Sequence, residues 1–386
     1  MTKGNTMQRS EKRIPLANPT MHTEELEFIK EAFDRNWIAP LGFNVDGFEN
    51  EMISYLTKGE YEYHALALDS GTSALHMAMK LAGIKRGDRV FCSDMTFAAS
   101  VNPAVYEGAV PVFIDSERET WNMDPAALRK AFEKYPDTRV VILVHLYGTP
   151  SKIDEIMAVC EEYGAILIED AAESLTATYK GKQTGTFGKY NAISFNGNKL
   201  ITTSGGGMLL TGSKEARQKA FFWATQSKEP FVWYEHKEIG YNYRLSNVTA
   251  GIGRGQLIHV TEHRDLKEAI YRRYEEGLKG LPVSMNPYIE EYTVPNFWLS
   301  CMLMDKSVEI KPMEMYDKLN QLNIESRPIW KPMHMQPIFA ENDFIYVEET
   351  PVDEDIFSRG LCLPSDIKMT AEEQQFVIDA IKEYLK

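Results

Sequence analysis

Between residues 65 and 210 the chain repeats one unit, a short apolar run followed by a helix-length amphipathic stretch. The runs cover 65–68, 90–92, 110–114, 140–144, 166–168, 192–195 and 208–210 and are rich in Val, Ile and Leu. Runs this short and apolar on both faces are what strands of a covered parallel sheet look like. The stretches between them suit crossover helices. In one, Ser151-Lys152-Ile153-Asp154 opens with a capping-box-like start, and Ile153, Ile156, Met157 and Cys160 then recur at helical spacing, which makes Cys160 a core residue. The pattern predicts a βαβ sheet domain over residues 21–258. It is preceded by a flexible lead over 1–20 and followed by a smaller α+β domain over 259–386, which begins with a highly charged helical pattern from Glu262 to Leu278. A further helix is expected from Thr23, an N-cap type residue followed by Glu24 and Glu25. The aromatic loop at Trp37 to Gly42 is either packing or a pocket wall.

Bulk properties exclude several roles. A formal net charge of -14 argues against nucleic acid or an anionic membrane surface as the main partner. No apolar run approaches membrane-spanning length, and the basic N-terminal residues have no apolar stretch behind them, so neither a membrane anchor nor a secretory signal is expected. Cys92, Cys160, Cys301 and Cys362 lie far apart without C-x-x-C spacing, which suits reduced core thiols, no metal and a cytoplasmic location.

In parallel sheets of this kind ligands bind outside the carboxyl ends of the strands. Four such ends carry chemistry. The first run leads into Asp69-Ser70-Gly71-Thr72-Ser73, where small and hydroxyl residues open a helix and form either an anion site or an ordinary N-cap. The second leads to Phe97, a stacking face for a planar ligand or a core ring. The fifth ends in Glu169-Asp170-Ala171-Ala172-Glu173, and acids at the end of a buried run require cations or donors. The sixth leads through Ser194 and Asn196 to Lys199, a lysine fixed between two strands, with Gly205 to Gly207 turning the chain back. Desolvation there would favour the neutral, nucleophilic amine. H-E-x-x-H, G-x-S-x-G and G-x-x-x-x-G-K-[ST] are all absent. A phosphate cradle, an aromatic face, a carboxylate and a lysine on one rim together fit pyridoxal phosphate. Its aldehyde condenses with a lysine, and its ring nitrogen is kept protonated by an acid, here Asp170.

Asp170-Ala171-Ala172-Glu173-Ser174, Ser194-Phe195-Asn196-Gly197-Asn198-Lys199, Tyr241-Asn242-Tyr243-Arg244-Leu245-Ser246-Asn247 and Arg327-Pro328-Ile329-Trp330-Lys331-Pro332-Met333-His334 together resemble the DegT/DnrJ/EryC1/StrS family of nucleotide-sugar aminotransferases. Within it the chain looks most like the enzymes of the N-acetylbacillosamine type. The resemblance implies the α/β fold of aspartate aminotransferase, fold type I, with a mostly parallel seven-stranded sheet, and a homodimer with shared active sites. It implies Lys199 as the cofactor-bonding lysine and proton shuttle, and Asp170 on the pyridine nitrogen. Phe97 would stack on the ring, Gly71, Thr72, Ser73 and Ser194 would hold the phosphate, and Asn242 would reach the partner subunit's cofactor. Glu173 stands where many relatives carry Gln or His near the cofactor's 3′ oxygen, a departure from the family's pattern. Asn196, Trp330, Lys331 and His334 are the expected substrate contacts, because cations and a ring suit a nucleotide diphosphate. The expected reaction moves an amino group from L-glutamate to the C4 ketone of a UDP-linked 4-keto-6-deoxy-N-acetylhexosamine. Amination at C3, a dTDP- or GDP-linked substrate, ketosugar 3-dehydration and a non-catalytic regulator that binds the cofactor are the rival readings.

Overall fold

The computed structural model describes residues 8–385. All seven runs are strands: β1 His64–Leu68, β2 Arg89–Ser93, β3 Val110–Ile114, β4 Val140–Val144, β5 Ile166–Asp170, β6 Tyr190–Ser194 and β7 Gly207–Thr211. Their order across the sheet is β1, β7, β6, β5, β4, β2, β3. Neighbours from β6 to β3 run parallel, while β7 is antiparallel to both β1 and β6. One strand goes beyond the expected seven: Phe344–Ile345, from the C-terminal part of the chain, pairs in parallel with β3 and makes the sheet eight-stranded. Two residues carry too little pattern to read as a strand.

Helices bury both faces. Gly71–Leu81 covers one, with Leu75, Met77, Ala78 and Met79 packed on strand residues such as Val90, Ile142 and Leu209. Pro125–Lys134 and Ile153–Tyr163 cover the other, where Leu128, Phe132, Ile156 and Cys160 meet Phe91, Val141 and Leu143. Two local expectations are corrected. Helix Ile153–Tyr163 has no side-chain cap, because Ser151 Oγ donates instead to the carbonyl of Val144, and Met157 is 38% exposed. Thr23 sits at its N-cap position without a cap bond; Glu25 accepts the N–H of His22 instead. The charged pattern from Glu262 falls within helix Val260–Gly277, and all four cysteines are free and buried.

The C-terminal part has its own core, with Ile270, Tyr274, Met302, Leu319, Leu361 and Ile381 among its members. Ile14 joins that core. Ser10 N–H and Ile14 N–H donate to the carbonyls of Leu322 and Asn323, so residues 8–20 are a docked arm rather than the expected flexible lead. Residues 1–7 of that lead lie outside the described residues. A further cluster joins the mouth of the large sheet to the C-terminal strands: Met95, Trp121 and Tyr147 pack against Trp298, Ile329 and Cys362. That joint sets the position of the site. Among the described residues no helix is long and apolar enough to cross a membrane.

Candidate active site

The carboxyl ends of β1, β2, β5 and β6 open on one cavity of about 400 Å³. At the end of β1, Ser70 adopts extended backbone as N-cap of helix Gly71–Leu81 and its hydroxyl accepts the N–H of Ser73 at 3.1 Å. The first N–H groups of a helix have no partner inside it, and Ser70, Gly71 and Thr72 line the cavity. Ser73 is turned away: it is buried, its hydroxyl donates to Asp69 Oδ1 at 2.6 Å, and it lines no part of the wall. The structure thus puts Ser70, and not the expected Ser73, on the cavity wall beside Gly71 and Thr72. Gly207, which opens β7, has a steric reason. A Cβ on Gly207 would lie 2.4 Å from the backbone of Ser70 and Gly71, so a side chain there would push the helix start out of place.

Asp170, at the end of β5, stands in register with Val144 of β4 and Ala192 of β6. It is only 5% exposed. Its Oδ2 accepts the hydroxyl of Ser100 at 2.6 Å, its Oδ1 accepts the N–H of Ala172 at 3.0 Å, and Ser100 is itself hydrogen-bonded to Thr96. Phe97, beside them, is 56% exposed and its ring lies on the wall of the cavity. It is not a core ring. The neighbouring acid Glu169 faces elsewhere and is satisfied by His145 at 2.8 Å and by the N–H groups of Gly185, Phe187 and Gly188.

Lys199 reaches into the same cavity with its side chain 13% exposed. Its Nζ lies 3.5 Å from Glu173 Oε1 and 4.0 Å from the centroid of the Trp298 ring. Glu173 is buried; desolvation raises its pKa, opposed by the Lys199 charge and by the N–H of Tyr147, which donates to Oε2 at 2.8 Å. Trp330 closes the cavity opposite, tilted on Phe97 at 5.4 Å, with its indole N–H buried on the Glu173 side.

Comparison with known proteins decides what this arrangement belongs to. Residues 19–382 match the model of the DegT/DnrJ/EryC1/StrS aminotransferase family. The chain belongs to that family. It is 47% identical over 377 residues to the putative pyridoxal phosphate-dependent aminotransferase EpsN of Bacillus subtilis, covering 96% of this chain and 95% of that one. It is 34% identical to the GDP-perosamine synthase of Caulobacter vibrioides over 97% of this chain and 98% of that one. A solved DegT/DnrJ/EryC1/StrS aminotransferase from Brucella abortus superposes with a TM-score of 0.85 at 26% identity, covering 94% of this chain and 95% of that chain. This chain is thus a pyridoxal phosphate-dependent sugar aminotransferase of fold type I. The cavity fits the cofactor: free helix N–H groups for a phosphate, a carboxylate braced at the floor, an exposed ring at the side, and a lysine within reach.

The remaining expected residues of the aminotransferase divide. Ser194 and Asn196 line the reaction cavity. Trp330 lines both it and a second cavity of about 680 Å³, whose wall also holds Lys331, Arg327, Lys311, Phe357 and Tyr147. His334 lines neither. It bonds Asp94 through Nδ1 at 2.5 Å and Glu354 through Nε2 at 3.3 Å and stacks on Phe344, which makes it a strut for the loop, off both walls. Burial lowers its pKa but the Asp94 contact outweighs that and leaves it raised. Asn242 is exposed, bridged to Thr225 and absent from its own chain's cavity. The loop at Trp37 forms neither wall; Trp37, Ile38 and Leu41 are exposed. Sequence reasoning missed Trp298, Tyr147 and Ser100. Only Ser100, close to Phe97 in the chain, had a local signal in the hydroxyl residues that follow β2.

Proposed function

We propose that the chain transfers the amino group of L-glutamate to the C4 ketone of a UDP-linked 4-keto-6-deoxy-N-acetylhexosamine and yields the UDP-4-amino sugar. The observation that carries a nucleotide-linked substrate is the second cavity, which shares Asn198, Trp298 and Trp330 with the first. Its wall brings Lys311, Arg327 and Lys331 together with aromatic rings and, among the described residues, contains no carboxylate. In a chain of net charge -14 such a wall suits a diphosphate joined to a planar base.

Bound pyridoxal phosphate supplies an aldehyde to carry the amino group and a ring to take up the electron pair released at carbon. The protein supplies the rest. Gly71, Thr72, Ser70 and Ser194 would hold the phosphate, and Phe97 would cover one ring face. Asp170, braced by Ser100 and the Ala172 N–H, would keep the ring nitrogen protonated. Lys199 would accept the proton from the donor's Cα and return a proton at the sugar carbon. The two steps need the same lysine within reach of both carbons. Similarity to GDP-perosamine synthases favours one alternative, a GDP-linked ketosugar. Incubating the enzyme and glutamate with UDP-, GDP- and dTDP-linked ketosugars and identifying products by mass and NMR separates these readings. Turnover of the GDP sugar alone would overturn the UDP assignment, and loss of water without gain of nitrogen would overturn amination.

A further inference from the structure

The residue beneath Lys199 comes from a distant part of the chain and is fastened with unusual care. Trp298 is 1% exposed. Its indole N–H donates to the carbonyl of Asn198 at 2.7 Å, which ties the ring to the residue preceding the lysine. Its backbone N–H donates to Asn296 Oδ1 at 2.9 Å, and Asn296 Nδ2 donates to the carbonyls of Glu173 and Leu175 at 2.8 and 2.9 Å. One short segment thus grips both the lysine loop and the glutamate loop.

The backbone is bent to allow this. Phe297 holds a left-handed φ of 54°, and so does Tyr147 at 53°, in each case a costly conformation for a bulky residue. Gly148 is required beside them, because a Cβ there would lie 1.7 Å from Asn296 Oδ1. The result is a pocket for one group: Lys199 Nζ lies 4.0 Å from the ring centroid and 3.5 Å from Glu173 Oε1.

We propose that the face of Trp298 and the carboxylate of Glu173 form a holding site for the Lys199 ammonium. The site keeps the amine beside the reaction cavity whenever the lysine is not covalently engaged. Trp298 is then a positioning residue that acts through Lys199. A cation is attracted to an indole face, most strongly where water is excluded. The carboxylate adds charge pairing in the same buried place. Other charges face Lys199 as well. Asp170 shares its cavity, and Lys267 and His263 of helix Val260–Gly277 line a small cavity behind it. The proposal rests on Lys199 being the lysine that bonds the cofactor.

The test uses the full-length protein freed of cofactor. Covalent capture of pyridoxal phosphate is followed by near-visible absorbance across pH, and affinity is measured for pyridoxamine phosphate, which has no aldehyde to bond. The proposal expects the pH midpoint of capture to fall by on the order of one unit in Trp298→Leu and in Glu173→Gln, because each removes a partner of the charged amine. Trp298→Phe, which keeps a ring face, should recover most of that shift. Pyridoxamine phosphate affinity should stay within about threefold of wild type in both Trp298 variants. Midpoints equal to wild type overturn the holding site. So does a parallel loss of pyridoxamine phosphate affinity, which would make Trp298 a wall and nothing more. Lys199→Ala should capture nothing; capture by that variant, or none by wild type, overturns the reading of Lys199 itself.

Discussion

Glu169, Asp170 and Glu173 stand within five positions, and each meets a different environment. Strand alternation sends Glu169 to one face of the sheet and Asp170 to the other, and the turn after β5 brings Glu173 back to Lys199. Burial would raise the pKa of Glu169, but His145 and the N–H groups of Gly188 and Gly185 outweigh it and hold it low. Its carboxylate is structural. Glu169→Gln should therefore cost roughly 2–3 kcal/mol, since an amide presents hydrogens to donors that need an acceptor. Chemical denaturation would show this loss while cofactor affinity stays near wild type. Asp170→Asn is expected to do the reverse: stability changes little, and kcat falls by roughly a hundredfold or more as the ring nitrogen loses its acid partner. Similar denaturation midpoints with equal turnover would remove Asp170 from its proposed role.

At the level of elements, the strands were legible because a strand buried on both faces must be apolar throughout, and the helices because their buried faces recur every three or four residues. Residues brought in by the chain's return were not legible. Trp298 bonds a residue 100 positions away, and nothing in Asn296-Phe297-Trp298 alone says so. Ser73 lies off the cavity wall because its hydroxyl donates to Asp69, and a hydroxyl at a helix start has the same sequence signature whether it faces a ligand or a neighbouring side chain. The close approach of β7 to the start of helix Gly71–Leu81 makes one test sharp. Gly207→Ala should destabilise the protein by about 1–3 kcal/mol through overpacking and weaken pyridoxamine phosphate binding, because the helix N–H groups move. Unchanged affinity would detach the helix start from the phosphate. Helix Val260–Gly277 carries another test. Burial lowers the pKa of Lys267 to about 8, against 10.5 for the free side chain. Between those values the unfolded chain binds more protons than the folded one, so this group's contribution makes stability rise with pH through that window and fall as pH drops toward 8. Lys267→Met should flatten that part of the curve of stability against pH; an unchanged slope would contradict the buried position.

The whole molecule leaves a large apolar surface open. Phe231, Trp233, Tyr234 and Ile239 are exposed on the loop before Asn242, and Leu26, Phe33 and Ile38 are exposed near the N-terminus. Exposed rings on this scale are what contact with a second copy would cover. A two-fold dimer would bury equivalent patches on both copies and carry each Asn242 away from its own cavity, which does not contain it, toward the other. We therefore expect sedimentation of a dimer that Trp233→Asp weakens. The shared site has a stricter test. Lys199→Ala and Asn242→Ala should each be nearly inactive as pure proteins, for different reasons in the same site. When the two variants are unfolded together, refolded and mixed, half of the dimers are hybrids. In each hybrid one site draws its lysine and its asparagine from the unmutated positions of the two subunits. Activity should return to about one quarter of wild type, half the dimers each with one working site of two. If Asn242 served its own chain's cavity, every site in a hybrid would carry one defect and no activity would return.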